Sequence, residues 1–369
     1  LVAIDENGTM LSHFQCTWLL TNIRTRGPTR DQQGNSIAQM TSCSQLDVER
    51  KMSELERLEN WLVDAGCEAI ALGAVDLVCR RLVEELNHVA FAIALRREGE
   101  KDGDEMARDY YRASRPHADL PMEKYPNISR EAFANKLPFK AMLVDEAIPA
   151  RWAATVAAQS ELPELDTALR TALSSARMLQ DPFAELCHVT APTALKLSNL
   201  PLHPMASQLP EDILERGLVN ELVDCACRLG VHVDDVQRQA HRMHVLQFVP
   251  GLGPRKAGAL LRDLQSRSAN SLPIQSRQEL LDEKLLGPVV WHNAAGFLIF
   301  DTARQIERWR PPGLEGCRIH PEEYEHAKRI CFDGIYDENE EPEENPQTMN
   351  EAVDRAMGRE AYRIDEQTG

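Results

Sequence analysis

The residues with the most chemical content are Phe248-Val249-Pro250-Gly251-Leu252-Gly253-Pro254-Arg255-Lys256-Ala257. A Gly-apolar-Gly corner between two helix-like stretches reads as a helix-hairpin-helix. Gly251 and Gly253 let the backbone come close to a partner. The N–H groups that open the second helix have no intrahelical acceptor, so they can seat a phosphate. Arg255 and Lys256 add two cations there, and Arg262 follows two turns along. Leu252 is expected to plug the gap between the helices. Such a contact grips the nucleic-acid backbone and reads no base sequence. The same corner can also serve only to pack one helix on another, and that reading stays open. A second copy, Leu285-Leu286-Gly287-Pro288-Val289-Val290, lacks the second glycine and the basic pair and reads as structural.

Catalysis would need a different set of groups. A two-metal nuclease needs several carboxylates converging on its ions, which stabilise the attacking and leaving oxygens. The candidates are Asp5, Asp76, Asp145 and Glu146. Asp5 falls in an Asp-Glu-Asn-Gly turn, where acids are ordinary turn formers. Only Asp145 and Glu146 follow a strand, and one pair does not make the site, so no catalytic residue is assigned. His241 and His244 are three apart and Cys225 and Cys227 two apart, short of the four ligands that zinc takes. They read as surface histidines and buried thiols, and no metal site is assigned. No Gly-rich nucleotide loop is present, and no cofactor is implied.

Charge and length bound the rest. The chain has 369 residues and a formal charge of -17, which excludes binding through a bulk positive field. Locally the balance differs: residues 246–310 hold nine Lys/Arg against six Asp/Glu. Neutralising a few phosphates there gives weak, salt-sensitive binding. Nine cysteines without a C-x-x-C read as reduced thiols. No apolar run approaches the ~18 residues that would span a membrane. The first residue, Leu1, suggests a fragment of a longer protein.

The elements that must position these groups fall in two classes. Leu1–Ile4 and Thr9–Leu20 read as strands around an Asn7-Gly8 turn. Helical spacing follows from Asp47, then a short strand over Cys67–Leu72, a helix over Val75–Leu86, a buried strand over Val89–Leu95 and a last strand over Phe139–Val144. Residues 21–46 and 96–126 read as insertions. Beyond Val144 the strands are expected to stop. Helices are expected over Leu162–Gln180, from Pro182, from Pro210 to Leu229 with Gly230 as stop, over Val245–Leu264 and Ser276–Phe300 with glycine breaks in both, and over Pro321–Phe332 and Met349–Met357. The acidic run Asp337–Glu344 reads as a solvated loop.

From Leu143 to Ile330 the chain resembles the eukaryotic transcription elongation factor and histone chaperone family called suppressor of Ty six, and more distantly the bacterial Tex proteins. Four stretches carry the resemblance: Ala176-Arg177-Met178-Leu179-Gln180-Asp181-Pro182-Phe183-Ala184-Glu185, Gly251–Ala257, His292-Asn293-Ala294-Ala295-Gly296-Phe297-Leu298, and Arg318-Ile319-His320-Pro321-Glu322-Glu323-Tyr324. Residues 1–142 match by pattern alone, as an RNase H-like domain entered partway through its first hairpin. The resemblance implies a multidomain α/β plus all-α chain. An RNase H-like (YqgF-type) domain would span 1–158, a helical and helix-hairpin-helix domain 159–301, and a small death-domain-like helical module 302–369. It further implies a non-catalytic scaffold in the nucleus, partnered by the RNA polymerase II elongation complex, by histones, and weakly by DNA or RNA. The residues assigned to nucleic acid are Gly251, Gly253, Arg255, Lys256 and Arg262. The alternative is a structure-selective nuclease that uses the RNase H-like domain.

Overall fold

The computed structural model describes residues 1–20, 29–30, 36–37, 45–98, 107, 137–191, 195–268, 274, 276–300, 313–336 and 345–357. Most of the two insertions and the acidic run Asp337–Glu344 lie outside the described residues. The chain divides into two units, Leu1–Pro182 and Phe183–Gly369.

In the first unit, β1 (Val2–Ile4) pairs antiparallel with β2 (Met10–His13). The turn forms as its residue types require. The Asp5 carboxylate accepts from the Asn7 and Thr9 amides at 2.9 and 2.7 Å, and Gly8 takes φ 73°. The strand expected over Thr9–Leu20 is shorter, ending at His13. Short β3 (Thr29–Arg30) and β4 (Ser36–Ile37) pair with each other. Helix α1 (Gln45–Asp64) buries Leu55, Leu58 and Leu62 on one face. Strand β5 (Ala69–Gly73) and helix α2 (Val78–Glu98) follow, and β5 pairs parallel with β6 (Lys140–Val144).

The strand expected over Val89–Leu95 is instead the second half of α2. Val89, Ala90, Ala92, Ile93, Ala94 and Leu95 are all buried. A helix buried all round loses its polar stripe, and a continuous apolar run then looks like an interior strand.

Helices α3 (Ala147–Ala153), α4 (Val156–Glu161) and α5 (Thr167–Gln180) complete this unit. The helix expected from Leu162 begins later, because Asp166 caps α5 by accepting from the Leu169 amide at 2.7 Å. At its other end Arg177 Nε donates to the Gly8 carbonyl at 2.8 Å, and Gln180 donates to the Asp5 and Glu6 carbonyls at 3.0 Å. Helix α5 packs against both β1 and β5. Between these strands lies a cleft of about 1110 Å³, with Ala168, Ala172 and Ala176 of α5 among its lining. Leu1 exchanges hydrogen bonds with Phe14, so alternation turns the polar groups of Val2 and Ile4 away from β2. Bonds from Lys140 to Glu68 and from Ala74 to Val144 likewise turn Ala69, Ala71 and Gly73 away from β6. The cleft is thus walled by two strand edges.

Helix α6 (Pro182–Val189) starts on the last residue of the first unit, a proline at the first helical position, and the rest of it belongs to the second. Helix α7 (Glu211–Leu229) stops at Gly230, φ 78°, where a Cβ would overlap the Ile299 side chain. Next come β7 (Val231–His232), α8 (Val233–Arg238), a 3-10 stretch over Ala240–Phe248, and α9 (Gly253–Ser268). The helical stretch over Ser276–Phe300 is broken around Gly287, as its glycines predict. It is resolved into α10 (Arg277–Asp282), α11 (Pro288–Ala294), a 3-10 turn and β8 (Leu298–Ile299). Lys284 at φ 59° and the Gly287-Pro288 step interrupt it. Strands do not stop at Val144: β7 pairs parallel with β8. Helices α12 (Tyr324–Ile335) and α13 (Pro346–Ala356) pack on each other, and α13 starts from an Asn345/Thr348 capping box.

Candidate nucleic-acid interface

The hairpin forms where the two glycines require it. Gly251 and Gly253 take φ 85° and 67°, left-handed values that carry little strain in glycine. The Leu252 amide donates back to Val249 O at 3.1 Å, and its side chain is 4% exposed, plugging the corner as its type predicts. Helix α9 then begins at Gly253. Pro254 has no N–H and Leu252 has spent its own, so the Gly253 and Arg255 amides are the ones at the helix start without an intrahelical acceptor. A Cβ at Gly253 would meet nothing within 4 Å, so this side of the corner is open. A Cβ at Gly251 would lie 3.0 Å from Asn293 Cβ, so the corner packs against α11. The two copies of the hairpin pattern therefore lie side by side. The open phosphate seat and the packing corner are two faces of one turn.

The three cations are exposed and differ in their attachments. Lys256 Nζ donates to Gly251 O at 2.9 Å, which places its charge over the hairpin. Arg262 Nε donates to Gly258 O at 3.1 Å, one turn back along α9. Arg255 stands beside the open amides. The sequence thus located all five residues on one corner and the helix that follows it.

One residue that organises this unit was not evident from sequence. Arg277 is fully buried. Its guanidinium donates to the carbonyls of Ala295, Leu314, Glu315, Cys317 and Ile319. It also lies 3.3 Å from the Glu315 carboxylate and over the Tyr324 ring. The Trp291 indole donates to Arg277 O at 2.7 Å. Arg277 thereby ties α10 and α11 to the segment that leads to α12. Burial pushes the Glu315 carboxyl above its ordinary value, with the Arg277 contacts acting against that shift. The adjacent Arg318 reaches Cys227 O at 2.7 Å, which anchors the same segment to the end of α7.

Three of the four carboxylates considered for catalysis serve local backbone. Asp5 holds its turn, Asp76 accepts from the Val78 amide at 2.7 Å, and Asp145 accepts from the Ala147 amide at 2.9 Å. Glu146 lies over Gly73, where a Cβ would overlap its carboxylate. His241, expected at the surface, is buried, its ring 6.3 Å from that of His188, with His244 at 5.9 Å from His188. Cys225 and Cys227 are half-buried rather than buried, and the eight described cysteines are free thiols.

Comparison with known proteins now bears on this geometry. Residues 196–301 match the family model described as a helix-hairpin-helix motif. A Suppressor of Ty 6 homolog of Caenorhabditis elegans is 34% identical over 221 residues, covering 59% of this chain and 14% of the relative. The chain is homologous to the Suppressor of Ty 6 proteins. Transcription elongation factor SPT6 of Drosophila melanogaster is 28% identical over 209 residues, 55% of this chain and 11% of the relative. The SPT6 homolog of Arabidopsis thaliana is 28% identical over 301 residues, 79% of this chain and 16% of the relative. The chain thus spans about one-seventh of the length of these SPT6 relatives. The resemblance read from four short motifs is borne out, and the helix-hairpin-helix assignment with it. Among the described residues, no helix is long and apolar enough to cross a membrane.

Proposed function

We propose that the chain is a non-catalytic core segment of a transcription elongation factor that touches nucleic acid weakly, without sequence preference, through Gly251, Gly253, Arg255, Lys256 and Arg262. The observation that carries this reading is the open corner at Gly253, where two free amides and exposed Arg255 and Lys256 share one surface. A phosphate there accepts from main-chain donors at the positive end of a sixteen-residue helix. The names of the SPT6 relatives support the elongation role.

The domain reading is part of the same proposal. Residues 1–158 form an RNase H-like domain, 159–301 the helical and helix-hairpin-helix domain, and 302–369 a death-domain-like module. RNA polymerase II, histones and a nuclear location rest on the family resemblance. Local use of the Asp5, Asp76 and Asp145 carboxylates favours the scaffold over a nuclease. A gel shift with duplexes of unrelated sequence tests the proposal. Comparable weak binding to each is expected, reduced by Arg255→Ala with Lys256→Ala. Binding that survives the double substitution removes the hairpin from the account. Magnesium- or manganese-dependent cleavage, lost on replacing Asp145 and Glu146, favours the nuclease.

A further inference from the structure

Away from the hairpin, three groups with metal-binding donors meet. His292 lies in the last turn of α11, His320 precedes the 3-10 turn Pro321–Glu323, and Glu322 is within that turn. Their donor atoms all lie within 4.8 Å of one another. His292 Nδ1 is 3.2 Å from Glu322 Oε1, and His320 Nδ1 is 3.8 Å from Glu322 Oε2. Around a tetrahedral zinc ion with bonds of ~2.1 Å, neighbouring ligand atoms are ~3.4 Å apart. The two His–Glu spacings, one to each carboxylate oxygen, lie on either side of that value. We propose that His292, His320 and Glu322 bind a first-row transition-metal dication, zinc most simply, with a fourth position open to water.

The tautomer of His320 supports this assignment. Its Nε2 donates to His292 O at 3.1 Å, which leaves Nδ1 as the nitrogen with the lone pair, on the Glu322 side. Metal-bound imidazoles typically make this arrangement, one nitrogen on the ion and the other donating to a backbone carbonyl. Nδ1 now accepts from the Glu322 amide at 3.2 Å, and the metal would replace that single capping bond. The ring is held edge-on to Trp291 and His292, at 5.2 and 5.3 Å between centroids. Arg277 grips the Ala295 and Ile319 carbonyls, so the backbone on both sides of the site is fixed. His292 and Glu322 are more than half exposed, which gives an ion access. A bound ion would clamp α11 to the segment that opens α12.

The test is titration of the chain with zinc chloride and with cobalt chloride, beside His292→Ala and Glu322→Gln. Both positions are exposed, and unchanged far-UV circular dichroism would show that the variants fold. The expected result is one equivalent bound by the parent and at least tenfold weaker binding by each variant. Zinc should raise the melting temperature of the parent only, and the cobalt spectrum should lack a thiolate charge-transfer band. Equal binding by parent and variants, no binding by the parent at submillimolar zinc, or a thiolate band from the cysteines would each overturn the proposal.

Discussion

Arg277→Met should destabilise the second unit by about 5 kcal/mol, a large share of the ~5–15 kcal/mol that holds a domain together. Methionine keeps most of the buried stem and removes the planar fork. The Leu314 and Glu315 carbonyls retain other donors, Cys317 N and Phe300 N. Of the remaining acceptors, the Ala295 carbonyl is buried and costs about 1–3 kcal/mol when left unsatisfied, whereas the part-buried Ile319 and Cys317 carbonyls can turn to water. Glu315 loses its counter-ion, and breaking a buried pair from one side costs about 3–5 kcal/mol, less where the acid can take up a proton. Together, with the acid free to take up a proton, the two amount to about 5 kcal/mol. With a urea dependence of about 2 kcal/mol per molar, the midpoint should fall by about 2.5 M. The assay is urea unfolding read by circular dichroism, with hydrogen exchange of the 313–320 segment read alongside. Arg277→Lys should recover little, because an ammonium cannot present the same fork of donors. A midpoint shift under about 0.5 M for Arg277→Met would refute the hub.

Three further outcomes follow from local geometry. Gly253→Ala should cost about 1 kcal/mol for its left-handed backbone, and Gly251→Ala about 2–3 kcal/mol, because it adds the close contact with Asn293. Urea midpoints check that order, and equal values would contradict it. Burial, aided by the Glu54 carboxylate, pushes the Cys16 thiol from 9.0 up to about 11. At pH 8 that leaves roughly 100-fold less thiolate than an unperturbed thiol has, so alkylation of Cys16 mapped by mass spectrometry should be slower in the folded protein than in the urea-unfolded chain by a similar factor. The folded state keeps that proton longer than the unfolded chain does, so the Cys16 contribution to stability is whole below pH 9 and is lost as pH rises toward 11. Finally, hydrogen exchange should be fast at the Val2, Ile4, Ala69, Ala71 and Gly73 amides and slow at Ala3, Ile70 and Leu72. Protection of both sets would show that the cleft edges are paired.

What sequence could reveal depended on how local the cause was. The Asp5–Gly8 turn, the Gly230 stop, the proline start of α6 and the Gly251–Gly253 corner each depend on residues within a few positions, and each was legible. The second half of α2 was not, because burial on all sides erased the periodicity that separates helix from strand. The β7–β8 pair was invisible for another reason. Its two-residue strands lie 67 positions apart, too short for a pattern and too distant for a turn signal. Arg277 was hidden by its type. A charged residue is expected outside, and its acceptors are main-chain carbonyls 18 to 42 residues away. At the interface, the five hairpin residues were readable as a group. That Lys256 reaches back to Gly251 O, and that Val290 of the second copy and Asn293 just beyond it pack against the first, is visible only in the structure.

The most direct test of the central claim is the salt dependence of duplex binding, followed by fluorescence anisotropy. With about three phosphates neutralised by Arg255, Lys256 and Arg262, the logarithmic slope should be about -2.7, roughly a 40-fold loss between 50 and 200 mM salt. In the Arg255→Ala, Lys256→Ala double variant the slope should fall to about -0.9. A slope near zero in the parent, or one unchanged by the double substitution, would contradict the account.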